Sequence, residues 1–242
     1  MKQRILLILA GSLLPGFWQA ATAEWSVGGY AGASETLDSY LRIVQPGSGN
    51  DLRLTPVRFL GRSFESPIYY GYRAGYFFTP VFGLEAEFIH FKIHSRVEDR
   101  VRAEGMLAGE RIDREAAMNE IVERFDISHG VNLLLGNAVF RKGFWKAGGK
   151  RNRILLTARA GAGGSIPHPE SNVLGRSRAE YQWGRPGVQA AGGAELRIWG
   201  GIYAIAEYKF TRTRQKVRIA GGTAETLLQS HHAVTGISYH FP

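Results

Sequence analysis

Apolar and polar positions alternate along most of this chain with a period of two, the spacing that sends successive side chains to opposite faces of a strand. The pattern is clearest in the second half. Val188, Ala190, Gly192, Ala194, Leu196 and Ile198 face one way; Gln189, Ala191, Gly193, Glu195 and Arg197 face the other. The next stretch sets Ile202, Ala204, Ala206, Tyr208 and Phe210 against Tyr203, Ile205, Glu207, Lys209 and Thr211. The last sets Ala233, Thr235, Ile237, Tyr239 and Phe241 against His232, Val234, Gly236, Ser238 and His240. One face is apolar and closes with aromatics, and the other is small, polar or charged. A water-soluble barrel would turn the apolar face inward. Small, polar interior positions suit a narrow lumen filled by side chains, with lipid outside.

Eight such stretches are expected, near Trp25–Ala33, Ile68–Thr79, Gly83–His94, Gly130–Arg141, Arg153–Gly164, Val188–Ile198, Ile202–Thr213 and Ala233–Phe241. Short turns at Pro80-Val81-Phe82, Lys142–Asn152 and Trp199-Gly200-Gly201 alternate with long loops at Ser34–Pro67, Ser95–His129, Ser165–Gly187 and Arg214–His232. This rhythm predicts an all-β, eight-stranded antiparallel up-and-down transmembrane β-barrel, with long outer loops and short periplasmic turns. Within the second loop, Asp113–Phe125 carries Ala116, Ile121, Val122 and Phe125 among charges and reads as a solvated loop rather than a short helix. Trp25, Tyr69, Tyr70, Tyr76, Phe77, Phe78, Trp145, Trp199, Tyr239 and Phe241 gather at strand ends, where an interfacial girdle is expected.

The first residues give an address. Lys2 and Arg4, then the apolar run Ile5–Leu14, then Ala21-Thr22-Ala23 form a secretory signal over residues 1–23. The apolar run is too short, and too broken by Gly11, Ser12 and Pro15, for a helical span. The barrel domain then occupies residues 24–242. The chain has no cysteine, which excludes disulfides and thiolate metal sites. Its net charge of +9 falls to +7 without Lys2 and Arg4. Basic charge in an exported barrel meets anionic lipid head groups rather than nucleic acid, and Arg151, Arg153, Arg212, Arg214, Lys216 and Arg218 stand at strand ends.

Several groups could carry chemistry. Glu85 and Glu87 share one face of the third strand, and His90, Lys92 and His94 the other. The apolar phase changes at Phe88-Ile89, so either a bulge turns Glu87 and His90 toward the same interior or the strand emerges from the bilayer there. Ser128 and His129, adjacent in a strand, would point apart, so Asp126, Ser128 and His129 make a polar rim rather than a nucleophilic triad. Pro167 and Pro169 stiffen the backbone around His168. Arg159, Glu195, Arg197, Glu207 and Lys209 face inward as a salt-bridge core.

In order along the chain, Gly61-Arg62-Ser63-Phe64-Glu65, Tyr69-Tyr70-Gly71, Gly83–Lys92, His129-Gly130-Val131-Asn132, Gly161-Ala162-Gly163-Gly164, Pro167-His168, Glu180-Tyr181-Gln182 and Ala206-Glu207-Tyr208-Lys209 resemble the rhizobial lipid A oxidase family. The resemblance implies a monomeric outer-membrane barrel that meets lipid A (lipopolysaccharide) and the surrounding outer-membrane lipids. It implies oxidation of the proximal glucosamine of lipid A lacking its anomeric phosphate to an aminogluconate unit, with molecular oxygen consumed and hydrogen peroxide released. Dioxygen chemistry without a flavin motif suggests a divalent metal held by His and carboxylate. The candidates are His90, His129 and His168 as metal ligands, with Glu87 or Glu180 as the base that takes a sugar-hydroxyl proton. All are expected near the outer rim. The other reading is a non-enzymatic barrel with a structural or surface-interaction role; a diffusion pore is disfavoured, since eight strands leave no continuous lumen.

Overall fold

The computed structural model describes residues 23–146 and 151–241; the expected signal segment lies outside them, apart from Ala23. The described residues form fifteen strands. The first half carries β1 (Glu24–Gln45), β2 (Asn50–Leu60), β3 (Tyr70–Phe77), β4 (Phe82–His90), β5 (Ile93–Ser95), β6 (Arg100–Leu107), β7 (Glu110–Ala117) and β8 (Val122–Ile127). The second carries β9 (Leu133–Phe144), β10 (Ile154–Ser165), β11 (Pro169–Val173), β12 (Arg176–Ala179), β13 (Gly187–Trp199), β14 (Ile202–Ile219) and β15 (Gly222–His240). No helix among the described residues is long and apolar enough to cross a membrane.

Eight strands close a ring, as the alternation predicts. β1 pairs β3, then β4, β9, β10, β13, β14 and β15 follow, and β15 returns to β1, every pairing antiparallel. Closure leaves no backbone edge facing lipid, the condition for crossing a bilayer with strands. The belt of Val27, Tyr72, Leu84, Leu134, Phe140, Leu156, Val188, Leu196, Tyr208 and Ile237 is exposed on its outside. Two residues of the expected girdle turn inward instead. Tyr69 packs in the lumen on His232, and Phe77 lies under the Arg141 guanidinium.

The lumen is filled by charge. Arg73 and Arg159 each reach Glu85, Glu195 and Glu207, while Lys209 lies 2.5 Å from Glu87 and 2.6 Å from Glu207. His240 adds a contact to Glu195 at 2.8 Å. Buried charges persist only when paired and hydrogen-bonded, and every member here has several partners. Gly161 makes room for this network, since a Cβ there would fall 1.9 Å from Asn137 Oδ1.

The expected long loops are themselves strands. β14, β15 and β1 run on past the belt, and from them the same sheet continues outward in the order β14-β15-β1-β2-β5-β8-β11-β12. Here the polarity reverses. Leu41, Ile43, Leu52, Leu54, Phe59, Phe125, Ile127, Val217, Ile219 and Leu228 form a buried apolar core, and the charged positions face out. The segment read as a solvated loop, Asp113–Phe125, contributes part of β7, a single 3₁₀ turn and part of β8, with Ala116, Ile121, Val122 and Phe125 buried. The β6–β7 hairpin hangs from β2.

Candidate metal centre

Among the described residues, one cluster brings three metal-ligating groups together: His129, His168 and Glu170, with donor atoms within 4.8 Å of one another. It sits above the outer ends of β9 and β10. β8 ends at Ile127, and the chain turns through Ser128 and His129 before β9 begins. His168 and Glu170 come from the segment that leaves β10 and enters β11, and β11 pairs β8, bringing Glu170 opposite Asp126.

Glu170 is the hub. Its Oε1 lies 3.2 Å from His129 Nδ1 and 3.8 Å from His168 Nδ1. Two ligands at right angles, each about 2.1 Å from a metal, sit roughly 3 Å apart, so a small inward shift would bring all three to one ion. The Ser128 hydroxyl donates to Oε1, and Arg124 holds Oε2 from the other side. The contact between Nδ1 of His168 and Glu170 is too long for a hydrogen bond, and that nitrogen is buried without a partner. An orphaned ring nitrogen aimed into a His, His, carboxylate set fits a divalent metal. Burial raises the Glu170 pKa, but the Ser128 hydrogen bond and the charges of Arg124, His129 and His168 outweigh it, and the net effect is a lowered value. The carboxylate is thus kept ionised, as a ligand must be.

Not all the sequence candidates meet here. His129 and His168 do, with rings in edge contact at 4.7 Å between centroids. His90 stands behind them: its Nδ1 is 2.8 Å from Asn132 Oδ1, and its ring stacks on Tyr70 at 4.8 Å. Asn132 in turn donates to the backbone carbonyls of His129, Gly130 and Ile166, so His90 anchors the loop that presents the centre. Gly130, at φ 94°, is required there, because a Cβ would strike the His90 ring 2.4 Å from Nδ1.

Glu87 is placed elsewhere. No register shift occurs at Phe88-Ile89, and β4 pairs regularly with β3 and β9. Without a bulge, Glu87 points into the lumen, bound by Lys209, Tyr30 at 2.6 Å and Asn137 at 2.9 Å. Glu180 is held by Arg178 at 2.9 Å and Arg218 at 3.0 Å. Neither carboxylate belongs to the cluster, which removes the geometric basis for either as the base.

Ser128 and His129 also depart from expectation. Because they lie in a turn, their side chains meet, with Ser128 Oγ 3.0 Å from His129 Nδ1. They still do not make a triad with Glu170, because serine and carboxylate approach the same ring nitrogen. Glu170 itself went unread in the sequence, although His168-x-Glu170 in a proline-stiffened, extended segment puts both side chains on one face.

No protein-family model matches the chain, and no curated protein matches it in sequence. Among solved structures it is similar to the outer membrane protein OprG from Pseudomonas aeruginosa, with 12% identity and a TM-score of 0.51, covering 91% of this chain and 97% of that one. It is also similar to Neisserial surface protein A (7% identity, TM-score 0.42, 92% and 100% covered) and to the outer membrane protease OmpT from Escherichia coli (8%, 0.38, 93% and 99%). The closed ring, lipid-facing belt and charged lumen, together with the OprG likeness, define the class by fold: this is a transmembrane β-barrel of the outer membrane.

Proposed function

We propose that the protein is an outer-membrane oxidase acting on lipid A, with His129, His168 and Glu170 holding a divalent metal. The observation that carries this reading is the cluster itself. Two histidines and one carboxylate with an open side are the donor set of non-haem iron oxygenases, and His129 is half exposed. Its position supports the substrate class. Leu134 and Val188 are exposed on the belt just below, so a lipid lying on that wall would carry its head group up to the centre without leaving the leaflet.

In the reaction, the anomeric carbon of the proximal glucosamine loses two electrons and two protons to give a lactone. Dioxygen takes both and leaves as hydrogen peroxide, and water opens the lactone to the acid. A bound metal would supply the site at which dioxygen accepts electrons. Glu170 stays anionic as a ligand, and Ser128 and Arg124 fix its two oxygens. Asn132 and His90 hold the loop so that His129 and His168 keep their separation.

The test is mass spectrometry of lipid A lacking its anomeric phosphate, incubated in air with membranes containing the wild type, the Glu170→Gln variant or neither. The expected result is a gain of one oxygen atom on the proximal sugar with the wild type alone. No gain with a folded wild-type barrel overturns the reading. A second reading, a non-catalytic surface-interaction barrel, draws on the β6–β7 hairpin, which pairs with β2 and exposes the ion pairs Arg100–Glu115 and Arg102–Asp113, with Arg114 reaching Glu120 just beyond it. It would be favoured by an absence of stoichiometric metal.

A further inference from the structure

The outer face of β14 changes character where it leaves the belt. Tyr208 and Phe210 face lipid; the next four outward positions are Arg212, Arg214, Lys216 and Arg218, all exposed. Alternate residues of a strand are about 6.8 Å apart, so the row stands roughly 20 Å tall above the lipid edge. Carboxylates do not neutralise it. Arg218 is paired with Glu180 at 3.0 Å, and Arg214 reaches Glu225 only at 3.9 Å. Arg212 and Lys216 have no ion-pair partner among the described residues. The residues facing Arg212 across the sheet are Val188 and Gln229, neither acidic. Glu225, opposite Lys216, accepts from the Tyr40 hydroxyl at 3.1 Å.

The row is tied to the metal centre. Residues 180–184 run between them as a strap. The Tyr181 ring lies 4.5 Å from that of His168, and the Gln182 side chain bonds both backbone groups of Arg218, at 2.9 and 2.7 Å. Gly163 of β10 and Thr213 of β14 both lie opposite Gly187 of β13, so the outer end of β10, from which the chain runs on to His168, stands on the order of 10 Å across the wall from the foot of the row.

We propose that Arg212, Arg214 and Lys216 dock the phosphate of an outer-leaflet glycolipid whose acyl chains lie on the belt, holding its head group beside the centre. The lipid's identity rests on the reading above; the docking needs no redox chemistry. Charge complementarity and continuity with the lipid-facing wall favour a lipid phosphate. A soluble anion would gain nothing from Tyr208 and Phe210 below.

The experiment is native mass spectrometry of the full barrel released from detergent micelles containing monophosphorylated lipid A or its dephosphorylated counterpart. Four proteins are compared: wild type, Arg212→Gln/Arg214→Gln/Lys216→Gln, the charge-keeping Arg212→Lys/Arg214→Lys, and Glu170→Gln. Wild type, the lysine variant and Glu170→Gln should all prefer the phosphorylated lipid. The glutamine variant should bind it roughly a hundredfold more weakly, at about fivefold per cation. Equal binding by wild type and the glutamine variant overturns the docking site, as does displacement of the lipid by an equal concentration of inorganic phosphate. A wild type that binds with this preference yet adds no oxygen leaves the docking standing and sinks the oxidase.

Discussion

At the scale of single residues, the centre separates ligands from supports. Glu170 touches both histidines, so Glu170→Gln should abolish stoichiometric divalent-metal binding, as measured by calorimetry and elemental analysis of the purified barrel. His90 reaches the centre only through Asn132, so His90→Ala should still bind one metal, about ten- to a hundredfold more weakly. Equal losses for the two variants would return His90 to the ligand set. Two of the three members of the cluster, His129 and His168, were legible in the sequence as candidates. The third, Glu170, hid behind Pro169, though the alternation that revealed the barrel also places it beside His168. Glu87 misled because an apolar phase change at Phe88-Ile89 looks the same whether a strand bulges or simply passes from lipid to protein surroundings; only the unbroken pairing of β4 distinguishes them.

At the scale of elements, the junction of β5 and β8 shows how the outer half is fastened. Asp126 takes the backbone N–H of Ser95, the His94 ring and Arg124. Burial raises its pKa, but the His94 and Arg124 hydrogen bonds and charges dominate and lower it below the ordinary 3.8. A depressed carboxylate stabilises the fold fully above its unfolded pKa and loses that contribution as pH falls through the folded value. Hydrogen exchange at the Ser95 amide should therefore accelerate as pH drops below about 4, relative to intrinsic exchange, and Asp126→Asn should remove that pH dependence. An unchanged dependence in the variant would assign the acid sensitivity elsewhere. The eight barrel strands were readable because each keeps its apolar face toward lipid. Their extensions were not, since from Arg212 on β14 and up to His231 on β15 the outward face becomes mainly polar, while the inward one mixes Val217, Ile219, Ala224 and Leu228 with Thr213, Gln215, Thr226 and Ser230. A pattern followed by its apolar outward face breaks off where that face turns polar, although the strand runs on.

At the scale of the molecule, the lumen behaves as one charged unit. Glu207 meets Arg73, Arg159 and Lys209 together, so Glu207→Ala leaves three buried cations short of a partner and should cost about 3–5 kcal/mol. Thermal unfolding of the variant in detergent reads this directly, and a loss under about 1 kcal/mol would mean that water replaces the carboxylate. Of the five residues read as an interior salt-bridge core, Arg197 is half-buried and its backbone bonds Arg153, while Arg159, Glu195, Glu207 and Lys209 belong to this network. Arg73 and Glu85 complete it from the opposite wall, a meeting that only barrel closure supplies.

The unbroken course of β14 and β15 from lipid to outer sheet has one more consequence. Between the apolar belt and the outer sheet these two strands stay paired residue for residue, so the rise from lipid edge to outer sheet is fixed by strand length, with no hinge to adjust it. The protein is therefore a ruler planted in the bilayer. A leaflet of matching thickness ends where Arg212 begins the charged rise of β14, whereas a thicker one buries that mark and a thinner one leaves apolar belt standing in water.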